Sequence, residues 1–222
     1  MKKIFLYFLM TIVFSGCFKD NDNKAPLAET TSFFEISYSD LTGLGSARAY
    51  FQKDYNVAVP NDISKILLND VEMPFIKQVS EYQSVFNNLM VDTANFRVVT
   101  KKGQELTVQA ILVPIGLHPS LPDSISASND ITLKWYGDIV YPGETITVYL
   151  NNTETHYTAD FSTSTSYTSS ITIRKKELLP LSKGTYVLFF SRYNIGEVSA
   201  GIGVKTYKVS YYISPSKTIT LY

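Results

Sequence analysis

The chain has 222 residues, 45% of them hydrophobic, and its 20 basic and 20 acidic side chains cancel at pH 7. This balance argues against a nucleic-acid-binding protein, and the well-mixed hydrophobic residues exclude a disordered chain. Sixteen Tyr, thirteen Phe and one Trp predict an all-β protein, since aromatic residues favour strands. The only cysteine, Cys17, excludes an internal disulfide and a cysteine-based metal cage.

Residues 1–16 have the features of a targeting segment. Lys2 and Lys3 form a positive region that precedes the apolar run from Ile4 to Phe14. This run is too short to cross a bilayer, which needs about 20 helical residues. The segment therefore predicts a signal peptide that is removed from the mature chain.

The apolar run ends in Phe14-Ser15-Gly16-Cys17, in which small residues precede the cysteine. This ending resembles the lipobox of bacterial lipoproteins. The resemblance implies cleavage by signal peptidase II before Cys17, a diacylglycerol on the cysteine sulfur and a third acyl chain, such as palmitate, on its amine. Several long acyl chains anchor a protein stably. The alternative is an ordinary signal peptide with an incidental cysteine.

Residues 17–31 are predicted to form a flexible tether behind the lipid. Its segment Lys19-Asp20-Asn21-Asp22 resembles the export signal of Bacteroidetes-type surface lipoproteins, although Asn21 separates two acidic residues that the consensus places together. The resemblance implies a lipid-anchored protein of the bacterial outer membrane that faces the cell exterior. The alternative is a solvated linker without a targeting role.

Two triplets match an O-glycosylation pattern of exported Bacteroidetes proteins. They are Asp92-Thr93-Ala94 and Asp123-Ser124-Ile125. The resemblance makes Thr93 and Ser124 candidate glycosylation sites.

Residues 32–115 are predicted to form an N-terminal β-sandwich domain. Leu106, Val108, Ala110 and Leu112 alternate with polar residues, which is typical of a half-buried strand. The segment 79–90 fits a short helix or a strand. The other strand candidates are 33–38, 47–52, 63–68, 73–77 and 96–100, and the last of these joins 104–114 through the turn Lys101-Lys102-Gly103.

Prolines at 114, 119 and 122 resist both helix and sheet, so residues 116–126 are predicted to be a semi-rigid linker. Beyond it, residues 127–222 are predicted to form a second antiparallel sandwich, with Ile131, Leu133 and Trp135 on one face of its first strand. A single larger sandwich is the alternative. The other strand candidates of this half are 145–150, 155–161, 166–174, 185–193, 203–213 and 217–222.

The segment from Leu178 to Tyr186, LLPLSKGTY, resembles the E–F corner of immunoglobulin-like and fibronectin type III domains. The resemblance implies two tandem immunoglobulin-like sandwiches. It also implies that the Tyr186 hydroxyl returns to the upstream backbone and that Trp135 is a core aromatic. The cysteine pair of antibody domains is absent.

The sequence contains no recognisable catalytic or metal-binding motif, and we expect no enzyme activity, metal or cofactor. Its two histidines, His118 and His156, have neither a nucleophile elbow nor ligand-spaced partners nearby, and both are interpreted as surface or loop residues. Asp138 and Glu144 flank a loop with Tyr136 and Tyr141. That loop is the one place where a carboxylate-dependent hydrolase site is conceivable.

The surplus of tyrosine is the main clue to function, because exposed aromatic rings stack on sugars and contact partner proteins. We take Tyr136, Tyr141 and Tyr193 as candidate ligand contacts. The sequence thus predicts a non-catalytic surface lipoprotein that acts as a binding or adhesion module. The alternative is a glycan-binding lipoprotein of a polysaccharide-uptake system, and a pilus component or a hydrolase is less favoured.

Overall fold

The computed structural model describes residues 24–199 and 203–222. The lipobox, Cys17 and the first part of the predicted tether lie outside these residues. Within them the chain is all-β, as predicted. A 3-10 turn at Leu27–Glu29 and one helical turn, α1 at Lys175–Leu178, are the helical segments of the described part. None of its helices is long and apolar enough to span a bilayer.

The described residues form nineteen strands. Those that precede position 126 are β1 (Lys24–Ala25), β2 (Thr31–Ser39), β3 (Leu44–Lys53), β4 (Asn56–Pro60), β5 (Ile63–Leu68), β6 (Val71–Glu72), β7 (Phe75–Ile76), β8 (Glu81–Asn87), β9 (Thr93–Thr100), β10 (Glu105–Ile111), β11 (Ile115–Leu117) and β12 (Ser124–Ile125). Those that follow are β13 (Ile131–Gly137), β14 (Glu144–Asn152), β15 (Thr158–Thr163), β16 (Ser170–Ile173), β17 (Gly184–Glu197), β18 (Lys205–Ile213) and β19 (Lys217–Leu221).

One large sheet runs through both halves of the chain. Its strands lie in the order β1, β4, β3, β2, β18, β17, β14, β15. Strand β8 shares the edge of β3 with β4, and β19 shares the edge of β17 with β18. At the centre, β2 and β18 pair in parallel from Thr31 with Lys205 to Ser39 with Ile213. The two halves are therefore joined by backbone hydrogen bonds between early and late strands.

Two smaller sheets cover one face of the large sheet, which we call its inner face. One has the order β10, β9, β5, β6 and the other has the order β11, β13, β16. Phe34 of β2 packs on Phe96 of β9, with ring centroids 5.3 Å apart. In the second half, Trp135 of β13 meets Phe190 of β17 edge to face at 6.3 Å. Both contacts belong to one hydrophobic core, which continues from one small sheet to the other.

The strand pattern follows the alternation of the sequence. On β10, Leu106, Val108 and Ala110 are buried, as is Leu112 just beyond it, whereas the intervening residues are exposed. Segment 79–90, for which a helix or a strand was expected, contains the strand β8. The short strands β1, β6, β11 and β12 were not predicted, since pairs and triplets of residues show no measurable periodicity. The five-residue strand β4 was not predicted either.

The proline-rich segment is paired with the second half of the chain. Strand β11 runs antiparallel to β13, where Leu117 lies opposite Trp135, and β12 runs parallel to β19. Lys217 of β19 also forms an ion pair with Asp123 at 2.8 Å. The predicted domain boundaries at 115 and 127 remain a prediction.

The corner between α1 and β17 is closed by a side-chain hydrogen bond. Tyr186 is fully buried, and its hydroxyl donates to the carbonyl oxygen of Ser182 at 2.7 Å. The ring lies in the core, while the bond fixes the chain four residues upstream. This hydrogen bond fixes the backbone at the start of β17, which is a strand of the large sheet.

The shared core and the central pairing predict that both halves unfold together. Phe96→Ala removes a buried ring from the first half and is expected to lower the free energy of unfolding by about 3–5 kcal/mol. The only tryptophan, Trp135, lies in the second half and reports on that half by fluorescence during urea unfolding. We expect its transition to move to lower urea in Phe96→Ala.

The exposed residue Val71, in the same small sheet as Phe96, provides the control. Val71→Ala is expected to leave the transition in place, because surface substitutions usually change stability by less than about 0.5 kcal/mol. An unchanged Trp135 transition in Phe96→Ala would show instead that the halves unfold independently.

Candidate functional site

The outer face of the large sheet, opposite the two small sheets, carries an aromatic surface. We call it the aromatic face. Strand β18 shows how the sequence creates it, since Tyr207 and Tyr211 point outward while Tyr212 points inward and is buried. Its half-buried or exposed rings are Phe33, Tyr50, Tyr149, Tyr193, Tyr207 and Tyr211.

Three of these rings form a stack across the central strands. Phe33 of β2 lies between Tyr50 of β3 and Tyr207 of β18. The Phe33 centroid is 4.9 Å from that of Tyr50, with 8° between the planes, and 5.3 Å from that of Tyr207, with 20° between them. Both flat sides of Phe33 and one side of each tyrosine are therefore covered by neighbouring rings. The stack presents mainly ring edges to solvent.

A second stack lies further along the sheet. Tyr149 of β14 and Phe189 of β17 are parallel to within 14°, with centroids 4.9 Å apart. Tyr211 lies beside them, and burial together with the neighbouring Tyr149 raises its pKa to about 12. The aromatic face thus continues from β3 to β14 and combines residues of both halves.

A charged cluster lies beside the first stack. Arg48 of β3 contacts Glu35 of β2 at 2.6 Å and approaches Glu81 of β8 to 4.0 Å. Burial is the main cause that raises the pKa of Glu81, and Glu35 adds to it, while Arg48 acts in the opposite direction. Burial and then Glu35 raise the pKa of Tyr50 to about 12. The aromatic face therefore combines apolar ring edges with two carboxylates that share one guanidinium.

A cleft of about 240 Å³ lies on the inner face, where the two halves meet. Its apolar wall comes from the end of β10 and from Val113, and its polar wall comes from the second half. The lining residues are Ala110, Ile111, Val113, Tyr141, Glu144, Asn194, Lys208, Val209 and Ser210.

The wall of this cleft is held by a buried ion pair. Arg192 and Glu144 are each 2% exposed, and their side chains approach to 3.8 Å. The Arg192 guanidinium also donates to the carbonyl oxygens of Asp138 and Ile139, and the Glu144 carboxylate accepts from the Tyr141 amide at 2.9 Å. Burial lowers the pKa of Arg192, an effect that Glu144 opposes. The pair thus fixes the loop between β13 and β14.

The structure places the three candidate ligand tyrosines on three different surfaces. Tyr193 belongs to the aromatic face. Tyr141 lies in the loop beside the cleft, on the inner side of the large sheet. Tyr136 of β13 is exposed on the side of its small sheet that faces away from Trp135 and the core. The three residues therefore do not form one site.

The carboxylates of Asp138 and Glu144 lie in different surroundings, since Asp138 is exposed and Glu144 is buried. Only the backbone carbonyl of Asp138 takes part in the loop contacts, where it accepts from Arg192 and from the Trp135 indole at 3.1 Å. The Glu144 carboxylate is occupied by Arg192 and by the Tyr141 amide. This arrangement serves the conformation of the loop.

Both histidines lie in turns. His118 Nδ1 contacts the Ser120 hydroxyl at 2.7 Å, and His156 has a φ of 58° in the turn between β14 and β15. Of the candidate glycosylation sites, Ser124 is exposed and Thr93 is half-buried at the start of β9. In the two described ranges, no group of three or more His, Cys, Asp or Glu side chains is placed to hold a metal ion.

Phe33, Tyr50 and Arg192 were not recognised from the sequence as functional or structural site residues. A signal was present for Phe33, because adjacent Phe33 and Phe34 in a strand must point to opposite faces. A signal was also present for Arg192, which has the same strand parity as the inward-pointing Leu188 and Phe190. The local sequence does not show which strands lie beside β2. The stack around Phe33 was therefore not predicted.

The chain matches no family model and no curated protein. Among solved structures it is similar to the FN1–FN3 domains of chicken CNTN1, with 9% identity over 87% of this chain and 65% of that one and a TM-score of 0.30. The chicken interferon gamma receptor alpha chain is 11% identical over 84% of this chain and 95% of that one, with a TM-score of 0.29.

A third similar structure is Bacteroides ovatus SGBP-B of the mixed-linkage glucan utilization locus, in complex with a mixed-linkage heptasaccharide. It is 12% identical over 92% of this chain and 46% of that one, with a TM-score of 0.23. The chain thus spans about two thirds of the CNTN1 structure and under half of SGBP-B. Similarities this low do not indicate a shared function.

The raised pKa of Tyr50 predicts a loss of stability at alkaline pH. Because an unfolded tyrosine ionises near pH 10 and folded Tyr50 near pH 12, the unfolded chain releases its proton first. The stabilising contribution of Tyr50 to the free energy of unfolding is complete below pH 10 and is lost as the pH rises toward 12. When urea unfolding is measured across this pH range, the free energy of unfolding should fall less steeply with pH in Tyr50→Phe than in the wild type.

Tyr211→Phe is the matched variant, since the pKa of Tyr211 is also raised to about 12. Spectrophotometric titration of tyrosinate should show one fewer late-ionising tyrosine in each variant. Identical titration curves for the wild type and both variants would mean that neither ring is shielded in the folded protein.

Proposed function

We propose that the chain is a bacterial outer-membrane lipoprotein, anchored through lipid on Cys17 and facing the cell exterior, that acts as a non-catalytic binding or adhesion module. The lipobox Phe14-Ser15-Gly16-Cys17 supports the anchor. The aromatic face is the observation that carries the binding function. No metal or cofactor is part of the proposal.

The aromatic face suits a protein partner on the surface of another cell or molecule. Tyrosine and arginine are enriched in protein interfaces because they combine a large contact area with polar groups. Here the stack with Tyr50 and Tyr207 lies beside Glu35 and Arg48, so apolar contact and charge recognition are available on one surface.

The ring stacking favours a protein over a sugar on this face. Sugars bind to the flat side of an aromatic ring, and the Tyr50, Phe33 and Tyr207 rings cover one another on those sides. Their exposed edges and hydroxyl groups remain available to side chains of a partner. Within this stack, a flat ring side is open to a glycan only at the two ends.

Glycan binding is the second candidate function, and the cleft is the place that favours it. There Tyr141 lies near the polar side chains of Asn194, Lys208 and Ser210. An aromatic ring next to several hydrogen-bonding groups is a common arrangement for small polar ligands. The cleft has room for a small ligand only.

The anchor is tested with Cys17→Ala. We expect the wild-type chain to fractionate with membranes and to carry a lipid-sized mass increase on its first mature residue, whereas Cys17→Ala loses both. Proteinase added to intact cells should remove the wild-type protein. Protection from the proteinase would contradict the outward orientation, and an unmodified Cys17 would contradict the lipid anchor.

The binding surface is tested with Tyr50→Ala/Tyr207→Ala. We expect this variant to bind at least about tenfold more weakly than the wild type to protein ligands found in a panel of immobilised surface proteins and glycans, because aromatic anchors dominate interface energies. Tyr157→Ala, exposed at the other end of the sheet, is the control and should bind normally. If the variant binds as well as the wild type, the aromatic face is not the binding surface. If glycans alone bind, and Tyr141→Ala abolishes that binding, the cleft is the site.

A further inference from the structure

The polar wall of the cleft is a row of side chains on three adjacent strands. Glu144 of β14 lies opposite Asn194 of β17, and Asn194 lies opposite Ser210 of β18. Opposite residues on paired strands have Cα atoms about 5 Å apart, so one small ligand can reach two of these side chains at once. Lys208 precedes Ser210 by two residues on β18 and therefore lies on the same face, about 7 Å along the strand.

A glycine gives the Lys208 side chain the space to lie along this wall. Lys208 pairs with Gly196 of β17, and a Cβ atom at Gly196 would lie 3.2 Å from Lys208 Cε and 3.6 Å from its Cγ. The aliphatic stem of the lysine therefore lies across the glycine. Lys208 is exposed and forms no ion pair with another residue of the described part of the chain.

The charges at the cleft leave a positive excess. Glu144 and Lys208 are the charged residues among those that line it. The charge of Glu144 is balanced by Arg192, since their side chains approach to 3.8 Å. The ammonium group of Lys208 is the remaining charge, so the cleft favours an anionic ligand.

The same wall has more hydrogen-bond donors than acceptors. The Glu144 carboxylate already accepts from the Tyr141 amide at 2.9 Å and from the Asn194 side-chain amide at 3.4 Å. Next to it, Nε and Nη1 of Arg192 are buried without an acceptor among the described residues, and Lys208 adds three N–H groups. A wall of this kind suits a ligand that is rich in acceptors, such as a carboxylate.

The other side of the cleft suits the body of a small ring. Ile111 and Val113 supply apolar surface, and exposed Tyr141 supplies an aromatic ring. The volume of about 240 Å³ lies below the roughly 300 Å³ at which sites for drug-sized ligands begin. The cleft therefore has room for one ring with its substituents.

From this arrangement we propose that the cleft binds a hexuronic acid, which is a six-membered sugar ring that carries a carboxylate. Lys208 binds the carboxylate through a charge-assisted hydrogen bond, and Ser210 and Asn194 donate to the ligand oxygens beside it. The ring lies between Tyr141 and Ile111, which cover its C–H groups. The proposal rests on the second candidate function, ligand binding in the cleft, and is independent of the aromatic face and of the lipid anchor.

Glucuronate and glucose are a matched pair of probes, because a carboxylate in the first replaces the hydroxymethyl group of the second. Benzoate, a carboxylate on an aromatic ring, is the third probe. Each is titrated into the purified full-length protein, and saturation-transfer NMR of the ligand measures its affinity. We expect glucuronate to bind at least about fivefold more tightly than glucose, as for one exposed ion pair. Raising the salt concentration from about 0.01 M to about 1 M should remove most of this preference.

The charge is tested with Lys208→Met, which keeps the length of the side chain. We expect this variant to bind glucuronate no more tightly than glucose, while its affinity for glucose is unchanged, and Lys208→Arg should restore the preference. Tyr141→Ala should weaken both sugars equally, because the ring contacts the body of the sugar. The control is Lys134→Met, since Lys134 is exposed on β13 outside the cleft, and it should bind both sugars as the wild type does.

The outcomes distinguish this proposal from the second candidate function. Equal binding of glucose and glucuronate, or an unchanged preference in Lys208→Met, would overturn the acidic sugar and leave the cleft as a site for neutral sugars. Binding of benzoate without glucuronate would overturn the sugar ring. If none of the three probes binds, the proposal and the second candidate function both fail, whereas protein binding by the aromatic face is unaffected.

Discussion

The parallel pairing of β2 with β18 is the constraint on which the rest of the structure depends. It joins Thr31–Ser39 to Lys205–Ile213 along the full length of both strands, so each half of the chain completes a sheet begun by the other. Parallel pairs need a long connection between their strands. Here that connection is most of the protein, which is folded back as β3 to β17 on either side of the pair. The two small sheets then cover the inner face without a break in the core.

The same pairing creates both candidate sites. Phe33 and Tyr50 belong to the first half and Tyr207 to the second, so their stack exists only because β2 and β18 are neighbours. The cleft on the other face lies between the end of β10 and the loop held by Arg192 and Glu144. The Arg192 guanidinium donates to two carbonyl oxygens, while its Nε and Nη1 atoms are buried without a hydrogen-bond partner among the described residues, so the pair positions the loop at a cost in desolvation. Residues of the second half thus form one wall of the cleft, opposite the end of β10.

Local alternation was enough to predict the all-β class and most of the longer strands. The hairpin of β9 and β10 is an example, because its turn residues and the buried series from Leu106 to Leu112 are both visible in the sequence. Long-range pairing leaves no such local trace: nothing in residues 31–39 indicates that their partner begins at Lys205. The sequence therefore revealed the aromatic face only as a surplus of tyrosine. The three tyrosines proposed as ligand contacts lie on separate surfaces; they are Tyr136, Tyr141 and Tyr193. The order of the sheet could not be read from strands considered one at a time.

The pairing of Thr31 with Lys205 also has a consequence for the order of events during folding. Contacts between residues far apart in the chain slow folding, because the ends of a long loop must meet before they stabilise one another. Until β18 has been synthesised, β2 has an open edge on the side where it should pair, and such edges promote aggregation. A chain with this topology remains incomplete during most of its synthesis, and its central sheet closes only when Lys205–Ile213 has been made.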